Sequence, residues 1–387
     1  MPVTLGIERL LASGRLRGMH VGLVCNPASV DARFQHAVEL MCAAGITLKA
    51  VFGPQHGFRS DVQDNMIETA HATDEHRRVP IYSLYSETRE PTADMLKGLD
   101  VLVVDLQDVG TRVYTYVYTM ANCMRAARRH GVPIIVCDRP NPVAGLHVEG
   151  PVLEVGFESF VGQFPLPLRH GMTIGELARL FNEAFGIGAD IFVEQMEGWR
   201  RELWFDETGL PWVLPSPNIP TLDTATVYPG AVMFEGTNLS EGRGTTRPFE
   251  LVGAPWIPAE RFCDGLNAQQ RPGVHFRPAV FEPTFHKHAK QPCGGCQSHV
   301  IDRNAFRPVE TAVMLIDAFH RADPDRFGWK EPPYEYDYTR PPIDLLYGSD
   351  RLRAAIASGA TPADITMSWE PGLADFRRLR SEFLLYP

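Results

Sequence analysis

VLVVDLQDVGTR (101–112) begins with four aliphatic residues and then turns abruptly to Asp105, Gln107 and Asp108. A half-buried strand alternates apolar and polar positions. This run is apolar on both faces, the pattern of a strand in a parallel sheet covered by helices on both sides. The same texture recurs in HVGLVCN (20–26), LKAVFGP (48–54), IYSLY (81–85) and PIIVCDR (133–139), with ADIFVEQM (189–196) as a sixth strand. Amphipathic stretches separate them: RFQHAVELMCAAG (33–45), PTADMLKGL (91–99) and TMANCMRAARRHG (119–131). TIGELARLFNEAFG (173–186) carries Thr173 and Glu176 at capping-box spacing. Strand–helix alternation predicts an α/β fold built on a Rossmann-like parallel sheet.

A chain of 387 residues is long for one core, which favours two domains. After about residue 200 prolines and glycines cluster, as in TGLPWVLPSPNIPTLDTATVYPG (208–230). Strand candidates GVHFRPAVFEPTF (273–285) and SHVIDR (298–303) follow, then the helical VETAVMLIDAFHRA (309–322). The expected division is a Rossmann-like domain over 1–225 and a smaller α+β domain over 226–387, with a cleft between them.

The net charge of −10, with no basic block to offset it, argues against a nucleic-acid partner. The apolar runs are strand-sized, short of the ~18 residues a membrane span needs. No apolar h-region with a cleavage site opens the chain. It is expected to be soluble and cytoplasmic as given, or secreted or periplasmic if a signal was trimmed. Oligomeric state is not legible. Seven scattered cysteines do not form a disulfide framework, and Cys293-Gly-Gly-Cys296 reads as a loop with two free thiols. His286 and His288 in FHKH read as ordinary strand-end histidines, and no metal is assigned. The first strand leads into CNPASVD (25–31) rather than a G-x-G-x-x-G turn. Walker A, G-x-S-x-G and H-E-x-x-H motifs are likewise missing, so no cofactor is expected and the sheet lacks a dinucleotide fingerprint.

What the strands do carry is polar residues at their carboxyl ends: Asn26; Gln55 and His56; Asp105, Gln107 and Asp108; Asp138, Arg139 and Asn141. Ligands of parallel α/β sheets bind outside those ends, so these residues are expected to surround one cleft. Arg112 follows in the same loop. Tyr114, Tyr116 and Tyr118 share a face if their segment is extended, with core packing competing against stacking on a sugar ring. Ser216 and Asn218 of SPN (216–218) add polar groups. Arg243, flanked by glycines in NLSEGRGTT (238–246), has the fork geometry that grips a carboxylate. Amides, carboxylates, arginines and tyrosines suit a polyhydroxylated ligand.

FGPQHG (52–57), YSLY (82–85), DVLVVDLQDVGTRVYTY (100–116), DRPNP (138–142), PLRHGMTIGELA (167–178), LPSPN (214–218) and GTNLSEGRGTT (236–246) together resemble the exo-β-N-acetylmuramidases of the NamZ type, the former DUF1343 group. The resemblance runs from about residue 20 to residue 300. It implies a Rossmann-like domain and a smaller C-terminal domain with the active site between them. It also implies hydrolytic removal of terminal N-acetylmuramic acid (MurNAc) from the non-reducing ends of peptidoglycan fragments such as MurNAc-GlcNAc. His170, within the shared PLRHGMT string, joins the site residues on that basis. The lactyl carboxylate of MurNAc would meet Arg243, with Arg112 as the alternative.

One position departs. The family motif reads PEHG, with its glutamate as the catalytic carboxyl; here the residue is Gln55. An amide neither delivers nor accepts the proton that a glycosidic leaving group needs. Three readings follow: an introduced substitution that Gln55→Glu would reverse, another carboxyl such as Asp105, Asp108 or Glu87 carrying the acid role, or a non-catalytic muropeptide-binding protein.

Overall fold

The computed structural model describes residues 2–64 and 66–387. Strands β1 (His20–Cys25), β2 (Thr47–Gly53), β3 (Ala72–Asp74), β4 (Val79–Ser83), β5 (Val101–Asp105) and β6 (Ile134–Cys137) appear in turn. A hairpin of β7 (Glu149–Val152) and β8 (Pro167–Arg169) then precedes β9 (Ile191–Glu194). The main sheet runs β3-β4-β2-β1-β5-β6-β9. Only the β3–β4 pair is antiparallel. The order reverses at β1, where the chain leaves β4 on one flank and returns as β5 on the other, so the carboxyl ends of β1, β2 and β5 part there. The six expected strands all form. The short edge strand β3, ATD, carries no periodic signal that a sequence could reveal.

Period two along each strand feeds two cores. Leu102 and Val104 of β5 join Val24, Phe52 and Val136 under the Tyr116–His130 and Ile174–Glu183 helices. Val101 and Val103 join Val21, Leu23, Val51 and Ile135 under the Gly6–Ser13 and Ala37–Ala43 helices. Each such side chain contributes about 1.5–3 kcal/mol through burial, which is why the strands tolerate polar residues only at their ends. The Thr173–Glu176 capping box forms as its spacing predicts.

The tyrosine run is not extended. Tyr116 opens the Tyr116–His130 helix, so Tyr116 and Tyr118 diverge, while Tyr114 precedes the helix with its ring 4.7 Å from that of Tyr116. Helix-compatible residues from Val117 onward override the alternating pattern.

A second sheet holds β10 (Leu251–Ala254), β11 (Val274–Phe281) and β12 (Cys293–Val300) in the antiparallel order β10-β12-β11. Cys293-Gly-Gly-Cys296 therefore begins a strand and is not a loop. Its glycines are dictated by crowding: a Cβ would stand 2.0 Å from the Ile257 carbonyl oxygen at Gly294 and 2.0 Å from that of Val252 at Gly295. All seven cysteines are free thiols. The expected division at 225/226 falls inside the Leu222–Ala231 helix. The C-terminal segment returns to the main sheet, where Tyr386 donates to Asp138 (2.6 Å) and the Leu385 amide to Glu176 (2.8 Å). Among the described residues no helix is long and apolar enough to cross a membrane.

Candidate active site

The β2 strand stops at Gly53-Pro54, and the next residues, His56 and Gly57, take left-handed φ values of 70° and 78°. That turn swings the Gln55 side chain inward, where only 6% of the residue is exposed. Its carbonyl oxygen accepts from the Thr115 hydroxyl at 2.7 Å, and its amide nitrogen donates to Glu335 at 3.1 Å. The other carboxylate oxygen of Glu335 accepts from Tyr85, just past β4, at 2.8 Å. Three segments far apart in the chain thus meet on one carboxyl group.

Around this contact lies a small cavity of about 40 Å³, lined also by His56, Tyr114, Tyr116, Ser216, Asn218, Tyr228, Glu235, Arg243 and Tyr334. A larger cleft of about 480 Å³ adjoins it, and Glu335 lines both. Arg89 flanks the outer cleft, its guanidinium 4.4 Å and 4.5 Å from the ring centres of Tyr85 and Tyr336.

Two buried glutamates here are driven in opposite directions. Burial pushes the Glu335 carboxyl up to about 6; the negative charge of Glu235 adds to this, and the Tyr85 and Gln55 hydrogen bonds oppose it. Burial also acts on Glu235, but there the adjacent Arg243 guanidinium (2.6 Å) and the Tyr334 hydroxyl (2.7 Å) prevail and hold it below the usual carboxylate range. Burial drives His56 down to about 4, against the hydrogen bond its Nδ1 gives to the Val62 carbonyl (2.8 Å), so its ring is neutral and anchors the following loop.

Of the residues expected from sequence, Gln55, His56, Tyr114, Tyr116, Ser216, Asn218 and Arg243 line the cavity. The other strand-end residues do not; they form a buried hydrogen-bonded layer along the carboxyl edge of the sheet. Asp105 is gripped by Arg139 through two bonds of 2.7 Å and 2.8 Å. Asn26 donates to the Pro215 carbonyl, which Tyr116 also engages. Gln107 is used up on the Asp108 and Pro140 carbonyls, and Asn141 on that of Met172. Asp108 caps the Gly110 amide at 2.7 Å and lies 3.5 Å from the fully buried His170. Arg112 spends its guanidinium on the carbonyls of Pro151, Leu166 and Leu346. Glu87 is exposed beside His71. These polar groups are internal because a sheet edge full of turns leaves backbone groups that side chains must satisfy.

Asp138 takes the Thr173 hydroxyl (2.7 Å), the Gly175 amide (2.8 Å) and the Tyr386 hydroxyl. It anchors the Ile174–Glu183 helix, and burial raises its carboxyl to about 7. A carboxyl raised on folding adds stability below its unfolded value, and that stability is lost as pH rises through about 7. Asn keeps the shape without titrating. The melting temperature of the protein relative to its Asp138→Asn variant is therefore expected to fall steadily between about pH 4 and pH 8; a constant difference would refute the shift.

Arg243 is flanked by two carboxylates, Glu235 and, at 3.4 Å, Glu241; Glu241 in turn pairs with Lys287 at 2.7 Å. Its charge is already balanced within the protein, which weakens it as a grip for a ligand carboxylate.

Sequence reasoning missed Glu335, Glu235, Tyr85, Thr115 and Tyr334. The available signal for the first was PPYEYDY (332–338), an acid between two tyrosines just after a double proline.

The N-terminal domain profile of exo-β-N-acetylmuramidase NamZ matches residues 21–223, and the C-terminal profile matches residues 226–386. The chain belongs to the NamZ family. It is 46% identical over 387 residues to the peptidoglycan β-N-acetylmuramidase NamZ of Bacillus subtilis (strain 168), an alignment spanning 99% of this chain and 91% of that one. A DUF1343 family protein from Bacteroides fragilis superposes with a TM-score of 0.90 at 35% identity, covering 100% of this chain and 99% of its own. A second from the same species gives a TM-score of 0.76 at 28% identity with the same coverage. The two NamZ profiles together account for both halves of the chain.

Proposed function

We propose that this protein is an exo-acting β-N-acetylmuramidase that hydrolyses the bond between a non-reducing terminal MurNAc and the next sugar of peptidoglycan fragments. The observation that carries the reading is the family match across both halves of the chain, with Gln55 and His56 from one half and Arg243 from the other lining one cavity. The inner cavity of about 40 Å³ is far below the ~300–1,000 Å³ of ligand pockets, whereas the outer cleft of about 480 Å³ falls within that range. The sugar therefore lies in the outer cleft, with Glu335 beneath it and Gln55 behind.

The lactyl carboxylate distinguishes MurNAc from N-acetylglucosamine. Arg89 has the required charge on the wall of the cleft; its carboxylate partner among the described residues, Glu68 at 3.1 Å, is half-exposed and can yield to a ligand. Chromogenic β-MurNAc and β-GlcNAc glycosides test both statements. The protein is expected to turn over the MurNAc glycoside in preference. Arg89→Met is expected to reduce that preference by the worth of a charge-assisted hydrogen bond, roughly 1.5–3 kcal/mol, or more than tenfold in kcat/KM. Equal losses on both glycosides would reject the role of Arg89, and turnover of neither would reject the hydrolase reading.

A further inference from the structure

We infer that Glu335 is the catalytic acid of this site, the carboxyl that protonates the departing glycosidic oxygen in a chain whose PEHG-type glutamate is replaced by Gln55. The inference rests on the hydrolase reading above and deepens it.

Carboxyl groups that face the outer cleft are Glu68, Glu87, Asp337 and Glu335. Glu68 pairs with Arg89 and Glu87 with His71, and both side chains are about half or more exposed to water. Asp337 is tied to Arg340 at 2.7 Å and accepts the Thr339 and Arg340 amides at 2.9 Å each. Glu335 alone of the four is buried, with 4% of its surface exposed. Its hydrogen-bond partners, Gln55 and Tyr85, are neutral donors, which orient the carboxyl without cancelling its charge. Each oxygen keeps a second lone-pair site for a proton.

The backbone supports a functional placement. Glu335 and Tyr336 sit at φ 43° and 68°, left-handed values that bulky residues rarely adopt. Two such residues in a row are what brings the carboxyl to the junction of cavity and cleft. The contrast with Glu235, held below the usual carboxylate range by Arg243, matches the pattern in which neighbouring carboxyls are driven apart so that one takes up a proton more readily than the other.

In the step itself the Glu335 proton passes to the glycosidic oxygen as the C1–O bond breaks, and the bonding pair stays on oxygen, giving the hydroxyl of the leaving sugar. Water supplies hydroxide to C1, and its remaining proton restores the Glu335 carboxyl. One water is consumed and nothing is oxidised or reduced. Gln55 is then a positioning residue: its Thr115-anchored amide holds Glu335 in place.

The test compares two substrates with different need for the proton: MurNAc-GlcNAc, whose leaving group is an alcohol, and 2,4-dinitrophenyl β-MurNAc, whose phenolate departs unaided. Glu335→Gln is expected to lower kcat/KM on the disaccharide by ~10²–10⁴ while sparing most of the activity on the dinitrophenyl glycoside. Equal losses on both substrates, or no loss, would overturn the assignment. If the unaltered protein releases MurNAc from neither substrate, it is the hydrolase reading that fails. Gln55→Glu supplies a second check that leaves Glu335 intact: two carboxyls in contact resist double ionisation, so the alkaline limb of the pH–rate profile should move up by about one unit. A rise in turnover of ~10² with an unmoved limb would instead make position 55 the acid and Glu335 a bystander.

Discussion

Arg139→Met is expected to cost about 3–5 kcal/mol of folding stability, read as a fall in the urea midpoint at unchanged slope. Asp105 ends β5 at the centre of the main sheet, is fully buried and receives two bonds from the guanidinium of Arg139. The third contact of that guanidinium, 3.1 Å to the Val30 carbonyl, ties the loop after β1 into the same cluster. Methionine fills a similar volume but leaves an aspartate buried with its cation gone. The charge must be solvated by local opening or neutralised by a proton, and either costs several kcal/mol. Adding Asp105→Asn to the variant removes the stranded charge and is expected to recover a substantial part of the loss. Were the single variant to lose less than about 1 kcal/mol, the pair would not be the anchor described, and Asp105 would return as a candidate for chemistry.

Arg243→Met should destabilise the protein by a similar ~3–5 kcal/mol and also impair the site. Arg243 stands between Glu235 and Glu241, all three of them buried. Removing it leaves Glu241 with Lys287 and His286 but deprives Glu235 of its 2.6 Å partner, so the Glu235 carboxyl rises and competes for the proton that belongs on Glu335. The signature is a double one: a lower urea midpoint, and loss of activity that is equal on MurNAc and GlcNAc glycosides. A variant that folds normally and loses activity only on MurNAc substrates would show that Arg243 grips the lactyl carboxylate after all.

The sheet was legible because burial on both faces writes itself into composition: VLVVD and IIVC leave little else to be. The short strand β3 and the glycine-rich start of β12 were not, the first because three residues hold no period and the second because its glycines answer to the Ile257 and Val252 carbonyls, which sequence does not locate. The polar strand ends were expected to surround one cleft, and of them only Gln55 and His56 line the cavity, because ligand contacts and internal anchors share the same residue types. Asp105, Asp138 and Arg112 differ from Gln55 only in what folds over them. Glu335 illustrates the opposite failure. It lies 280 residues from Gln55, so nothing in the sequence marks the two as partners.

The most direct test of the account is to incubate the unaltered protein, Gln55 in place, with MurNAc-GlcNAc and measure both free sugars over time. The account predicts equimolar MurNAc and GlcNAc, released at a rate that declines on the alkaline side as Glu335 ionises. Saturable binding of the disaccharide with no free sugar would contradict it and identify the chain as a binder of muropeptides.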